Sequence, residues 1–435
     1  MKSIWQDTAK FKNRPSLREN IKTDVAIIGG GIAGILTAYF LEKAGVPYVL
    51  IEKNRLCSST TGHTTGKITV GHGLIYDKIL KSEGLGAARA YYTANMTAFE
   101  AYAELCKNID CDYEIKDNFV YSIANRANLE AEMSALEQIG AHARFCEKIP
   151  IPIDNVGAVC LQNQAQFNPL KFLASISEEL NIYESTFADD IGEGKVITDK
   201  GIIEAENIIV TTHFPIIDRH GFYFLKMYQH RSYVIALDSA EDVHGMYVDE
   251  EKGGMSFRNY EKYLLLGGGG HRTGKRGGSY AELRAFAKAH YPNAKEEYAW
   301  AAQDCMTLDS VPYIGRYSKR TKGFYTATGF NKWGMTGAML SAMLLSNMIT
   351  GKDGVSADVF NPSRSIFKPQ LFLNIAETLK NVLTPTVPRC SHLGCALKWN
   401  AAEHTWDCAC HGSRYSERGE VLDTPANKNK NLKRK

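Results

Sequence analysis

The feature that most narrows what this chain can fold into is Gly29-Gly-Gly31-Ile-Ala-Gly34, a fit to G-x-G-x-x-G. The apolar run Asp24-Val-Ala-Ile-Ile28 precedes it, and the helix formers of Ile32 to Ala44 follow until Gly45 stops them. In such a corner Gly29 makes the tight turn and Gly31 lets the backbone approach a pyrophosphate. Gly34 allows the helix to pack closely on the strand. The helix N-terminus adds free N–H groups and the positive end of its dipole. A second β-branched run, Val46 to Ile51, ends at Glu52 and Lys53. That is about 20 residues on, where a carboxylate can bind both ribose hydroxyls of a dinucleotide. The competing reading is a glycine turn with an unrelated acid, and the fingerprint does not choose between FAD and NAD.

Composition bounds the rest. A chain of 435 residues makes two to three ordinary domains, and 44% hydrophobic with 23% charged residues excludes wholesale disorder. Lys and Arg number 51 against 48 Asp and Glu, a net +3 that gives no support to nucleic-acid binding. Glycine, at 37 against 13 prolines, suits cofactor loops better than a proline-rich linker. Met1 to Asn20 lacks a signal-peptide core, and the apolar run Met335 to Ile349 is too short and too polar to span a bilayer. The expectation is a cytoplasmic protein without a transmembrane segment.

Further along, helices are predicted over 84–109, 126–140 and 369–382. Strands are predicted at 157–161, 193–198, 207–212, 231–237 and 263–267. A strand, glycine turn and helix recur over 324–348, and Asn361-Pro-Ser-Arg-Ser365 reads as a linker.

Here the sequence resembles the D-amino acid, glycine and sarcosine oxidase superfamily of flavoproteins. The matching pieces are Asp24 to Lys53, Gln166-Phe-Asn-Pro-Leu170, Ile209 to Pro215 with Thr212, Leu308 to Gly315, and Gly329 to Thr336. The resemblance implies FAD and an α/β (α+β overall) architecture. A doubly wound, Rossmann-like FAD domain (1–110, 159–214, 300–360) would be interrupted by an antiparallel β-sheet substrate domain, or cap (111–158, 215–299). It also implies that Gly334, Met335 and Thr336 open a helix against the flavin ring, with the N–H groups of Met335 and Thr336 stabilising the anionic reduced form. Relatives often carry lysine at the position of Thr336. Ser58 to Lys67 corresponds to the family's second flavin loop, with Thr60, Thr61, His63 and Thr64 as contacts; a solvated Ser/Thr/Gly loop is the alternative. Cys305 sits near the region where some relatives attach flavin covalently, but its spacing favours a buried thiol.

Four of the 10 cysteines, Cys390, Cys395, Cys408 and Cys410, crowd into the C-terminal end. Cys390-Ser-His392 and Cys408-Ala-Cys410-His411, 15 residues apart, make the C-x-H and C-x-x-H boxes of a Rieske [2Fe–2S] centre. Two thiolates hold one iron and two neutral imidazoles the other, which raises the reduction potential. A Cys2His2 zinc site is the rival, with unusual spacing. By the resemblance, Cys395 and Cys410 match the disulfide of quinol-oxidising Rieske proteins, with two free thiols as the alternative. Ser413 and Tyr415 match hydroxyls that stabilise the reduced cluster. The implied module is a small β structure over 385–435, joined by a helical linker over 361–384. The tail from Asn427 carries five cations and no acid, which suits a solvated end or an acidic partner.

The expected function is a dehydrogenase that moves a hydride from an amine or amino-acid derivative to FAD and passes electrons singly through the cluster. The acceptor would be a protein or a quinone. Arg258 is the candidate to grip a substrate carboxylate and His271 the candidate proton acceptor. Rival readings are a redox relay or sensor without a small-molecule substrate, and a Rieske oxygenase. The oxygenase needs a mononuclear iron, and no H-x4-H pair occurs.

Overall fold

The computed structural model describes residues 2–432, except Asp218, Arg219, Lys252, Val355, Thr386 and Val387. Three of the tail cations, Lys433, Arg434 and Lys435, lie outside the described residues.

The strand Ile21–Ile28 alternates where its first half is half-exposed and becomes continuously apolar from Val25, where it is covered on both faces. It lies at the centre of an eight-stranded sheet, parallel to Tyr48–Ile51 on one side and Ile202–Val210 on the other. Phe324–Thr328 joins Ile202–Val210 in parallel, and Tyr313–Arg316 closes that edge antiparallel. Helices Ile32–Lys43 and Gly334–Thr350 cover the sheet and pack on each other. Their small residues (Ala33, Gly34, Ala38, Gly337, Ala338, Ala342) permit that approach.

The second sheet has nine strands among the described residues. It runs from Lys295–Thr307 through Met227–Asp238, Tyr263–Arg272, Ser256–Tyr260, Met246–Asp249, Glu114–Tyr121 and Ala158–Gln166 to Lys67–Ile68. Two details of this sheet go beyond the sequence reading. The pairings are antiparallel except one, in which Met246–Asp249 runs parallel to Glu114–Tyr121. The sheet also takes Ala158–Gln166 and Lys295–Thr307, both placed largely in the FAD half by the sequence division. The physical reason is pairing length. Lys295–Thr307 zips along the whole of Met227–Asp238, so the sheet continues past the expected boundary into the first domain.

A third sheet of four antiparallel strands (Leu397–Asn400, Thr405–Cys408, Arg414–Ser416, Val421–Asp423) forms the C-terminal module. It does not hang free on its linker. Gln229 Nε2 donates to the carbonyls of His411 and Thr424, each at 2.9 Å, and Gln303 Nε2 donates to that of Gly412 at 2.9 Å. Arg272 donates to the carbonyls of Ala409 and Cys410 at 3.0 and 3.1 Å. Gly274 is required at this seam: its φ is +74°, and a Cβ there would stand 2.5 Å from the Ala409 nitrogen. A buried charge cluster seals the contact, with Arg231 on Glu403 and Arg414 shared among Glu403, Asp407 and Asp423.

Candidate functional site

The glycine corner behaves as its spacing predicts. Gly29 has φ +112° and lies against the Thr211 carbonyl, while a Cβ on Gly34 would stand 1.9 Å from the Gly29 oxygen. The helix that begins at Ile32 has no cap from its own N-cap residue, Gly31; the Thr61 hydroxyl accepts from the Ile32 N–H at 3.1 Å, and Gly31 faces a cavity of about 1040 Å³. Glu52 lines the same cavity. Its two oxygens accept from the N–H groups of Gly30 and Asn54, each at 2.8 Å, which fixes the carboxylate and leaves lone pairs for further donors. Burial raises its pKa.

Lys53, Thr60, Thr61, His63, Thr64 and Thr212 also reach this cavity, as do Gly334 and Met335 at the second helix start. That helix has no cap from its own N-cap residue either, so its first N–H groups point outward from its N-terminus. Thr336 does not reach the cavity through its side chain: its hydroxyl donates to the Thr69 carbonyl at 2.8 Å and accepts from the Thr69 N–H. Gly34 contributes by packing alone. Cys305 is buried and burial pushes its thiol pKa up, the behaviour of an inert thiol.

Neither catalytic candidate lines the cavity. Arg258 is only 1% exposed and does not line the cavity. Its Nη1 donates to the carbonyls of Thr65 and Gly66 at 2.6 and 2.7 Å, and its guanidinium lies over Trp5 and Tyr260. Trp300 takes the His63 carbonyl and Trp5 that of Thr64, so four successive carbonyls of the second loop are held by buried donors. Nη1 of Arg258 is thus committed to the loop, and no part of the side chain lines the cavity where a substrate carboxylate would sit. His271 stands one layer behind the cavity wall: Nδ1 donates to the Arg272 carbonyl at 2.9 Å, so Nε2 is the acceptor for the Tyr233 hydroxyl at 3.0 Å. Tyr233 lines the cavity; His271 does not.

Sequence reasoning missed three contributors. Lys67, the last residue of the second loop, is a buried lysine on the cavity wall. Desolvation, aided by the nearby Arg258 charge, lowers its pKa to about 7. The signal was present: a cation closing a Ser/Thr/Gly loop at the start of a strand. His72 lines the cavity stacked on Trp333 at 5.1 Å, with both ring nitrogens engaged by Tyr91 and the Thr69 carbonyl. The third is the C-terminal module, whose Arg414, Val421, Asp423, Thr424 and Asn427 form part of the same wall. Nothing in a single sequence announces such a docking.

Within that module the two boxes converge. The Nδ1 atoms of His392 and His411 lie 3.2 Å apart with their rings nearly perpendicular. The Tyr415 hydroxyl stands 3.3 Å from Cys390 Sγ, and the His392 N–H donates to that sulfur at 3.4 Å. Cys395 and Cys410 are disulfide-bonded, and Cys408 Sγ lies within 4.8 Å of both sulfurs. Burial lowers the His411 pKa to about 3, so its imidazole is neutral and able to ligate. Two thiol and two imidazole donors from boxes that converge, with a hydroxyl on a ligand sulfur, fit a Rieske cluster. The two helix starts, the glycine corner and Glu52 on one cavity fit a flavin dinucleotide.

Comparison with known proteins agrees. Residues 24–348 match the model of FAD dependent oxidoreductases, and residues 357–433 match that of the Rieske [2Fe-2S] domain. A relative described as a Rieske 2Fe-2S iron-sulfur protein, YhfW of Bacillus subtilis (strain 168), is 34% identical over 98% of this chain and 96% of its own. Gamma-glutamylputrescine oxidoreductase of Escherichia coli (strain K12) is 24% identical over 81% of this chain and 89% of its own. Glycine oxidase from Geobacillus kaustophilus has the same fold over 79% of this chain and 99% of its own, with a TM-score of 0.67 at 17% identity.

Proposed function

The chain belongs to the FAD-dependent oxidoreductase family and carries a Rieske [2Fe-2S] domain, and from that premise we propose that it is an amine or amino-acid-derivative dehydrogenase. In this reading a substrate C–N bond is oxidised in the cavity, and electrons leave one at a time through the C-terminal module to an external acceptor. When bound, FAD supplies hydride acceptance and single-electron release, and the cluster carries one electron at a time. The observation that carries the reading is that the module holding Cys390, His392, Cys408 and His411 walls the cavity of Glu52 and Met335.

The substrate class is supported by the relatives, whose names specify gamma-glutamylputrescine and glycine. The chain's own residues fit it. An amine is protonated at neutral pH and must lose that proton before its C–H bond can give up a hydride. Lys67, on the cavity wall with a pKa near 7, is the group suited to take it. Tyr233, oriented by His271, presents a hydroxyl to the same space. Glu52 and the two helix starts hold the dinucleotide, and Arg258 positions the second loop from behind.

Anaerobic screening of amines, N-methyl amino acids and short ω-amino acids for bleaching of the bound flavin tests this. At least one class should bleach it in a single exponential that saturates with concentration. If none does, the relay reading replaces this one.

A further inference from the structure

The helix Pro369–Leu383 is built inside out for a soluble protein. Its buried residues include Asn374, Glu377 and Asn381, spaced three and four apart along one face. Each is tied inward: Arg272 donates to Asn374 Oδ1 at 3.1 Å, Lys275 pairs with Glu377 at 2.6 Å, and the Asn381 carbonyl accepts from the Ala396 N–H at 3.0 Å. The opposite face carries Phe372, Ile375, Leu379, Val382 and Leu383, all exposed, with Leu373 beside them. Phe367, just before the helix, is 80% exposed and Leu383, at its end, 77%. With the polar face fastened, the helix cannot turn its apolar side inward.

The chemistry of that face narrows what covers it. The helix carries two charged residues: Glu377 is turned inward, and Lys380 is exposed. At the C-terminal end Arg389 donates to the carbonyls of Val382 and Gly394, which joins the helix to the cluster loop 390–394. There Leu393 is exposed beside half-buried His392. The Ser391 hydroxyl donates to the Lys428 carbonyl, bringing the start of the cationic tail to the same edge, with Lys428 exposed. An apolar stripe with no exposed acid of its own and a cationic border at the cluster end, the exposed Glu83 at the other end being paired with Lys368, suits a bilayer interface with anionic headgroups. A second copy would bring two cationic borders together.

We propose that this face lies on an anionic membrane surface, Phe367, Phe372, Leu379 and Leu383 entering the headgroup region, and that it sets the His392 edge of the cluster toward a lipid-soluble electron acceptor. The assignment of the acceptor rests on the proposed exit of electrons through the cluster; the binding does not. Sedimentation of the resting holoenzyme with vesicles of phosphatidylcholine containing phosphatidylglycerol measures the binding alone. The expected result is co-sedimentation that weakens in pure phosphatidylcholine or high salt. It should fall at least tenfold in Phe372→Asp/Leu379→Asp with both chromophore spectra unchanged. No co-sedimentation overturns the proposal. So does equal binding by the double variant, or self-association of the wild-type chain that the double variant abolishes, which would make a second copy the occupant. Intact vesicle binding with no acceptor reduction would instead sink the electron-exit reading.

Discussion

Lys67 and Arg258 exchange the roles their types suggested. The arginine, a natural carboxylate clamp, is consumed by the loop carbonyls of Thr65 and Gly66, while the lysine that ends this loop faces the cavity. Arg258→Ala therefore should not act as a loss of substrate grip. It strands the Thr65 carbonyl, at about 1–3 kcal/mol, while that of Gly66 keeps the Phe167 N–H, and it should weaken FAD retention at least several-fold in a dialysis assay, with KM little changed in the reloaded enzyme. For Lys67 the sign is set by burial. An unfolded lysine keeps its proton to about pH 10.4, whereas the buried one releases it near 7. The proton is thus bound only by the unfolded chain between those values, and folding gains stability as pH rises through that window. The neutral amine appears over the same rise, so the flavin-reduction rate should climb through about pH 7. In Lys67→Met the profile should be flat and the rate at least a hundredfold lower; a retained midpoint would assign the titration elsewhere. Neither residue's orientation was legible in the sequence, because burial of one polar side chain depends on which strands close over it.

At the scale of elements, much was legible and the failures have causes. The glycine corner and the two metal boxes could be read because their chemistry demands particular residue types at fixed spacing. A Cβ at Gly34 would stand 1.9 Å from the Gly29 oxygen, so Gly34→Ala should abolish FAD binding while leaving the Rieske absorption. The helix Pro369–Leu383 was legible as a helix, but its periodicity could not say which face is inside. The expected rule, apolar in, fails because Arg272 and Lys275 reach Asn374 and Glu377 first. The second sheet's limits were missed for a simpler reason: long hairpin pairing carries a strand past any boundary drawn from composition. In the module, the Cys395–Cys410 bond closes a separation of 15 residues. Such a link restricts the unfolded chain by about 3 kcal/mol. Replacing both with serine should lower the temperature at which the cluster absorption is lost, without moving that of flavin release.

The whole molecule docks the Rieske module on the wall of the cavity that Glu52 and Met335 line, and this is what neither half of the sequence could disclose. Gln229 and Gln303 bridge the cluster loop to the body; Gln303 Nε2 donates to Gln229 Oε1 at 2.6 Å, and the Gln303 carbonyl accepts from Thr60 of the flavin loop at 3.2 Å. His411 is buried against Phe224 rather than presented to solvent, so of the two imidazoles His392 is the more accessible. His411→Ala should lose the cluster spectrum, keep FAD and keep anaerobic flavin bleaching near wild type, while turnover with a protein-sized one-electron acceptor collapses. Iron analysis of the loaded wild-type protein should give two irons per chain; three would favour an oxygenase.

The central claim, that electrons pass from the cavity to the cluster within one chain, is tested most directly by light-driven reduction of the bound flavin under anaerobic conditions with EDTA as donor, without any substrate. Electron paramagnetic resonance of samples frozen after each flash should show the reduced Rieske signal growing at a rate independent of protein concentration, and absent in His411→Ala. A cluster that stays oxidised beside fully reduced flavin, or a signal whose rate scales with protein concentration, would contradict the account.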